Sequence, residues 1–67
     1  MLNEALKLMR VFHDLSQKEL AEKLGVSKSH ISEIESAKKT PSLPLLVRYS
    51  EVFDVPLSSI MFFSENM

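Results

Sequence analysis

The sequence predicts an all-α fold of five short helices, and three observations predict it. Apolar residues recur at intervals of three and four, and nowhere alternate as a half-buried strand would. Serines stand directly before several of these periodic segments, where an N-cap belongs. The single Gly and the three Pro of the 67-residue chain fall at or near segment edges.

Leu2, Ala5, Leu6, Met9 and Phe12 follow helical spacing and make the first dozen residues an amphipathic helix. Leu15-Ser16 interrupts it. Ser16-Gln17-Lys18-Glu19 then reads as a capping box, in which Ser16 bonds the Glu19 N–H and the Glu19 carboxylate reaches back. Leu20, Ala21 and Leu24 are the buried stripe of the second helix, and Gly25 ends it in a left-handed turn. Ser27 caps a third helix whose inner face is Ile31 and Ile34. Lys38-Lys39-Thr40-Pro41 is a polar connection. Ser42 caps a fourth helix with Pro44 in its first turn, lined by Leu46, by Tyr49 or Ser50, and by Phe53. After Asp54-Val55-Pro56, Leu57, Ile60 and Met61 predict a short fifth helix.

Composition narrows the function. The chain is 45% hydrophobic and 25% charged, without repeats, linkers or low-complexity tracts, and reads as one domain over 1–67. A domain this small buries only about 60% of its unfolded surface, which argues against a deep substrate pocket. The lack of Cys removes disulfides, thiolate zinc sites and thiol nucleophiles, and suits the cytoplasm. No apolar run can span a bilayer, and no basic segment followed by an apolar block marks a secretory signal. The net charge of −1 argues, taken whole, against a polybasic nucleic-acid or membrane-surface protein. Between Ser16 and Thr40, however, Lys18, Lys23, Lys28, Lys38 and Lys39 outnumber Glu19, Glu22, Glu33 and Glu35.

The stretch from about 16 to 36 holds the decisive spacing. Two short helices joined by a turn of three to four residues containing Gly form a helix-turn-helix. Ala21 is small where the helices cross, Gly25 supplies the turn, and Leu20, Leu24, Val26, Ile31 and Ile34 are apolar where the pair packs on a third helix.

The run Leu15-Ser16-Gln17-Lys18-Glu19-Leu20-Ala21, then Leu24-Gly25-Val26-Ser27, Ile31-Ser32, Ile34-Glu35 and Pro41-Ser42, resembles the Cro/C1-type helix-turn-helix family, the xenobiotic-response-element-like regulators. The similarity extends from Leu6 through Ile60. It implies a compact lambda-repressor-like domain that binds DNA, usually as a dimer. Two positions depart from the family pattern: Ala37 where Gly usually follows the third helix, and Asp54 where Gly or Asn often ends the fourth. A left-handed Ala costs roughly 1 kcal/mol relative to Gly, so either the turn differs or stability is given up there.

In a helix-turn-helix the start of the second helix meets base edges in the major groove. That assigns base reading to Lys28, Ser29, Ser32 and Glu33. Lys28 can donate to guanine O6 and N7, Glu33 can accept from cytosine N4, and the serines can do either. DNA-backbone contacts are expected from Gln17, Ser27, His30, Lys38, Lys39 and Thr40. Gln17 opens a helix, where free N–H groups attract a phosphate; for His30 a base, a phosphate or plain solvent all remain open. The resemblance further implies that Arg10 pairs with Glu35 to orient the recognition helix, an architectural role.

Met61, Phe62 and Phe63 are consecutive and apolar, so they cannot all face the core; a homodimer interface is expected there. His30, Ser32 and Glu33 are neighbours on one exposed helix and enclose no catalytic site. No enzyme activity, cofactor, metal site or small-molecule ligand is expected. The leading expectation is a sequence-specific regulator, acting as a repressor on a near-palindromic operator of double-stranded DNA. The competing one is a protein-interaction module of the same fold, such as an antirepressor or an antitoxin component.

Overall fold

The computed structural model describes the backbone of residues 2–66 and the side chains of residues 2–62. Five helices follow in order: α1 (Leu2–Phe12), α2 (Gln17–Leu24), α3 (Lys28–Glu35), α4 (Leu43–Val52) and α5 (Leu57–Asn66). No strand occurs among the described residues.

Each of the three serine caps forms. Ser16 Oγ accepts from Glu19 N at 3.0 Å while Glu19 Oε1 accepts from Ser16 N at 2.8 Å, closing the capping box. Ser27 Oγ accepts from His30 N at 3.1 Å, and Ser42 Oγ from Leu45 N at 3.3 Å, with Pro44 in the first turn of α4.

The first four helices stop in the same way. A residue with positive φ follows each: Asp14 (56°), Gly25 (74°), Ala37 (63°) and Asp54 (54°). The next residue's N–H then returns to a carbonyl five residues back: Leu15 to Arg10 (3.1 Å), Val26 to Ala21 (3.0 Å), Lys38 to Glu33 (2.8 Å) and Val55 to Ser50 (3.0 Å). This is the Schellman arrangement, and it satisfies carbonyls the helix leaves open. Leu15, Val26 and Val55, the residues just past the turn, pack against the core. Only one of the four left-handed positions is Gly. Asp adopts the conformation more readily than most residues. Ala37 has no such help, so the turn after α3 is retained at a cost in stability.

Helix α1 lies on α5 and α3, α2 on α3 and α4, and α4 on α5. Their shared core is built on Leu6, Leu20, Leu24, Ile31, Ile34 and Ile60, all essentially sealed from solvent. The register of α4 is settled by Tyr49, which is buried, while Ser50 turns outward enough to donate to the Val47 carbonyl at 2.6 Å.

Phe12 corrects the expected stripe of α1. It is 86% exposed. The place one turn beyond Met9 goes instead to His13, whose ring packs on Phe53 with centroids 4.8 Å apart. Three and four residues past Met9 both fall near this face, so the spacing admitted Phe12 as well as His13; the ring that meets Phe53 is that of His13, itself still exposed just past the end of α1.

Candidate nucleic-acid interface

Helix α3 has two unlike faces. Ile31, Ile34 and Glu35 are buried against α1 and α2. Lys28, Ser29 and Ser32 are exposed on the other side, with His30 and Glu33 half-buried between. Gly25, Val26 and Ser27 make the turn that sets α3 across α2. A Cβ added to Gly25 would meet nothing closer than an Arg48 nitrogen at 3.8 Å, so conformation rather than space demands Gly there. Arg48 Nη1 donates to the Leu24 carbonyl at 3.1 Å and so caps α2 from α4.

The far end of α3 is anchored by charge. Arg10 Nε and Nη2 donate to Glu35 Oε2 and Oε1 at 2.7 and 3.0 Å, a bidentate pair with both side chains largely withdrawn from solvent. Arg10 Nη1 also donates to the Leu15 carbonyl at 2.8 Å, binding the α1–α2 turn to the same group. The hydrogen bond to Glu35 raises the guanidinium pKa above its already high ordinary value.

Two further residues join this centre that sequence spacing did not single out for it. Gln17 Nε2 donates to Glu35 Oε1 at 3.1 Å, and Asn3 Nδ2 to the Glu35 backbone carbonyl at 3.4 Å. Both contacts cross between helices, and no periodicity along the chain announces them. The Gln17 side chain, expected at a phosphate, thus reaches toward Glu35. The Ser27 hydroxyl is likewise occupied as the α3 cap.

Beyond α3 the chain passes through Lys38, Lys39 and Thr40, all exposed. The N–H groups of Lys38 and Lys39 both donate to the Glu33 carbonyl, at 2.8 and 3.1 Å. The backbone of this basic corner is therefore held while its side chains project. The charge balance is better here than the count suggests. Glu19 is committed to its cap, where the Ser16 N–H and then the Ser16 hydroxyl hold its carboxyl below the usual range. Glu35 is committed to Arg10. Glu22 and Glu33 are left against Lys18, Lys23, Lys28, Lys38 and Lys39.

Residues 6–60 match the family model described as helix-turn-helix. The chain belongs to the Cro/C1-type helix-turn-helix family of transcriptional regulators. A regulator of this type from Methanocaldococcus jannaschii, named as uncharacterised, is 37% identical over 97% of this chain and 98% of its own length. The regulator SinR of Bacillus subtilis is 39% identical over 91% of the chain, which spans only 56% of SinR. Among solved structures, the biofilm master regulator SinR in complex with DNA superposes with a TM-score of 0.83, covering 91% of this chain and 98% of that one. The clp gene regulator ClgR from Corynebacterium glutamicum superposes at 0.84, with 28% identity and coverage of 91% and 65%. The five-helix fold expected from the sequence is thus shared with other helix-turn-helix regulators.

Met61 and Phe62 are exposed on α5, at 40% and 61%. The Phe63 side chain, the third member of the expected interface, lies outside the described residues.

Proposed function

We propose that this regulator binds double-stranded DNA in a sequence-specific manner by placing α3 in the major groove. One observation carries the reading. The exposed face of α3 bears Lys28, Ser29 and Ser32 on a helix locked at both ends, in a fold matching SinR in complex with DNA at 39% identity. Lys28, Ser29, Ser32 and Glu33 read base edges; Lys38, Lys39, Thr40, His30 and the starts of α2 and α3 engage phosphates.

The functional unit is a homodimer. The molecule measures 27 × 24 × 22 Å, less than the ~34 Å between successive major-groove faces, so one subunit reaches one half-site. Two copies joined through Met61 and Phe62 on α5 would read a near-palindromic operator. Repression follows from occupancy of that operator, in the cytoplasm, without catalysis or cofactor. No described helix is long and apolar enough to cross a membrane.

The competing reading, a protein-interaction module of the same fold, draws on Leu8, Val11 and Phe12, which lie exposed along α1. Selection from a random-sequence duplex pool at several salt concentrations separates the two. A regulator of DNA enriches a two-fold symmetric motif with affinity that falls as salt rises. Enrichment of nothing, at any salt, leaves the interaction module.

A further inference from the structure

Leu8, Val11 and Phe12 stand at helical spacing on α1, and each is more than half exposed. Asn3 and Arg10 of the same helix turn inward to Glu35 at the end of α3. Leu8 and Phe12 lie two residues to either side of Arg10, about 160° round the helix from it. The apolar stripe therefore faces away from the side of the molecule that carries α3. We propose that this stripe docks a partner protein through an amphipathic helix whose apolar face is bracketed by lysine or arginine. The inference goes beyond DNA binding and does not depend on it.

Charge identifies the occupant. Glu4 stands one turn before Leu8, and Asp14 stands just past Phe12. The His13 and Phe53 rings meet with centroids 4.8 Å apart, which sets the turn at Asp54 beside the turn at Asp14. Glu4, Asp14 and Asp54 are exposed and take part in no ion pair among the described residues. The bases outside residues 16–40 are Lys7, Arg10 and Arg48. Arg10 is spent on Glu35 and Arg48 on the Leu24 carbonyl, which leaves Lys7; α5, packed beside α1, contributes no base. The stripe thus has acidic groups at both ends and Lys7 alone on its flank.

Such acids repel nucleic acid and anionic lipid, so neither covers the stripe. A second copy laid along it in either direction sets acid against acid, a juxtaposition that works against binding. A helix with bases at both ends of an apolar stripe meets every requirement. Its apolar residues cover Leu8, Val11 and Phe12, while its bases face Glu4 at one end and Asp14 with Asp54 at the other. Ten residues separate Glu4 from Asp14. That is about 15 Å of helix, so the partner's bases stand about ten residues apart. Phe12, the most exposed of the large apolar side chains, is the anchor.

The probes are two synthetic peptides of about 20 residues, long enough to form a helix. Both carry the same leucine stripe, with either lysine or glutamate about ten residues apart at its ends. Each is titrated into the isotope-labelled chain, and shifts of the backbone amides locate the contact. The lysine peptide shifts amides from Glu4 to Asp14 and around Asp54, and binds at least about tenfold more tightly than the glutamate peptide. Phe12→Ser, at an exposed position that leaves the fold intact, weakens the lysine peptide by about tenfold. Asp14→Asn/Asp54→Asn keeps both left-handed turns, removes two charges and weakens it several-fold. Equal affinity for the two peptides, binding of neither, shifts centred on α3 or α5, or indifference to Phe12→Ser overturns the inference. Self-association of the wild type, seen by sedimentation equilibrium and lost in Phe12→Ser, assigns the stripe to a second copy and overturns it as well. Failure of the duplex selection bears on the DNA-binding reading alone.

Discussion

Arg10 holds Glu35 through two nitrogens, at 2.7 and 3.0 Å, and so fastens α3 to α1. A buried pair of this kind is worth more for geometry than for net stability, because taking both charges out of water offsets most of their attraction. Removing one member is different. Glu35→Ala strands the Arg10 guanidinium and is expected to lower unfolding free energy by about 3–5 kcal/mol, a large share of a small domain's total. Arg10→Met/Glu35→Leu leaves no orphan charge and should come within about 1 kcal/mol of wild type. Urea titration of the three proteins checks this, and a double variant as unstable as the single one contradicts it.

The left-handed turn at Ala37 marks a place where stability is recoverable. Ala37→Gly relieves the positive φ of 63° and is expected to stabilise by about 1 kcal/mol. Gly25→Ala introduces the same conflict at 74°, without a steric clash, and should destabilise by a similar amount. Opposite shifts in thermal midpoint are the signature. A fall in midpoint for Ala37→Gly would count against the turn geometry.

Tyr49 couples the core to alkaline pH. Its hydroxyl is buried with no hydrogen-bond partner among the described residues. Burial first, and then the nearby Glu35 carboxylate, push its pKa well above the ordinary value of 10. A group whose neutral form is favoured by folding contributes fully below its unfolded pKa. That contribution drains away as pH rises past 10, where the unfolded chain ionises and the folded one resists. Tyr49→Phe should match wild type or exceed it by up to about 1 kcal/mol at neutral pH, because it removes an unpaired polar atom. It should also lose less stability than wild type above pH 10. Tyr49 is the chain's one tyrosine, so tyrosinate absorbance follows its ionisation directly. Ionisation near pH 10 in the folded protein, or parallel stability curves for the two proteins, would show that Tyr49 is not sequestered.

The proposed function divides the lysines on and beyond α3 by role. Lys38→Ala, at the held basic corner, should weaken binding to all duplexes alike and reduce the salt slope by about one. Lys28→Ala should relax base preference at one position of each half-site. Fluorescence anisotropy on matched and mismatched duplexes separates the two patterns; identical patterns would refute the division.

The capping box at Ser16, the caps at Ser27 and Ser42, and the Gly25 turn were all legible because each is a local pattern with a local cause. The sequence left Tyr49 and Ser50 as alternatives on α4, since both suit the spacing and only the fit of α4 against α2 and α5 decides. Phe12, expected on the buried stripe of α1, is exposed. Three and four residues past Met9 suit the helix almost equally, and the contact of His13 with Phe53 on α4 is a tertiary one that spacing within α1 does not carry. The Gln17–Glu35 contact spans eighteen residues and depends on how α2 crosses α3, a tertiary fact with no trace in periodicity. Charge misled only as a total: Glu19 in a capping box was readable from spacing and Glu35 beside Arg10 from the family resemblance, and in the structure both carboxylates make those contacts.

Under the proposed function the exposed face of α3 reads bases. Operator selection with wild type and with Lys28→Gln tests it most directly, because lysine favours guanine and glutamine pairs with adenine N6 and N7. Base reading by α3 predicts two motifs of equal length and symmetry, differing from guanine to adenine at one symmetric position in each half-site. Selection of the same motif by both proteins, or a change scattered over positions unrelated by the dyad, would contradict it.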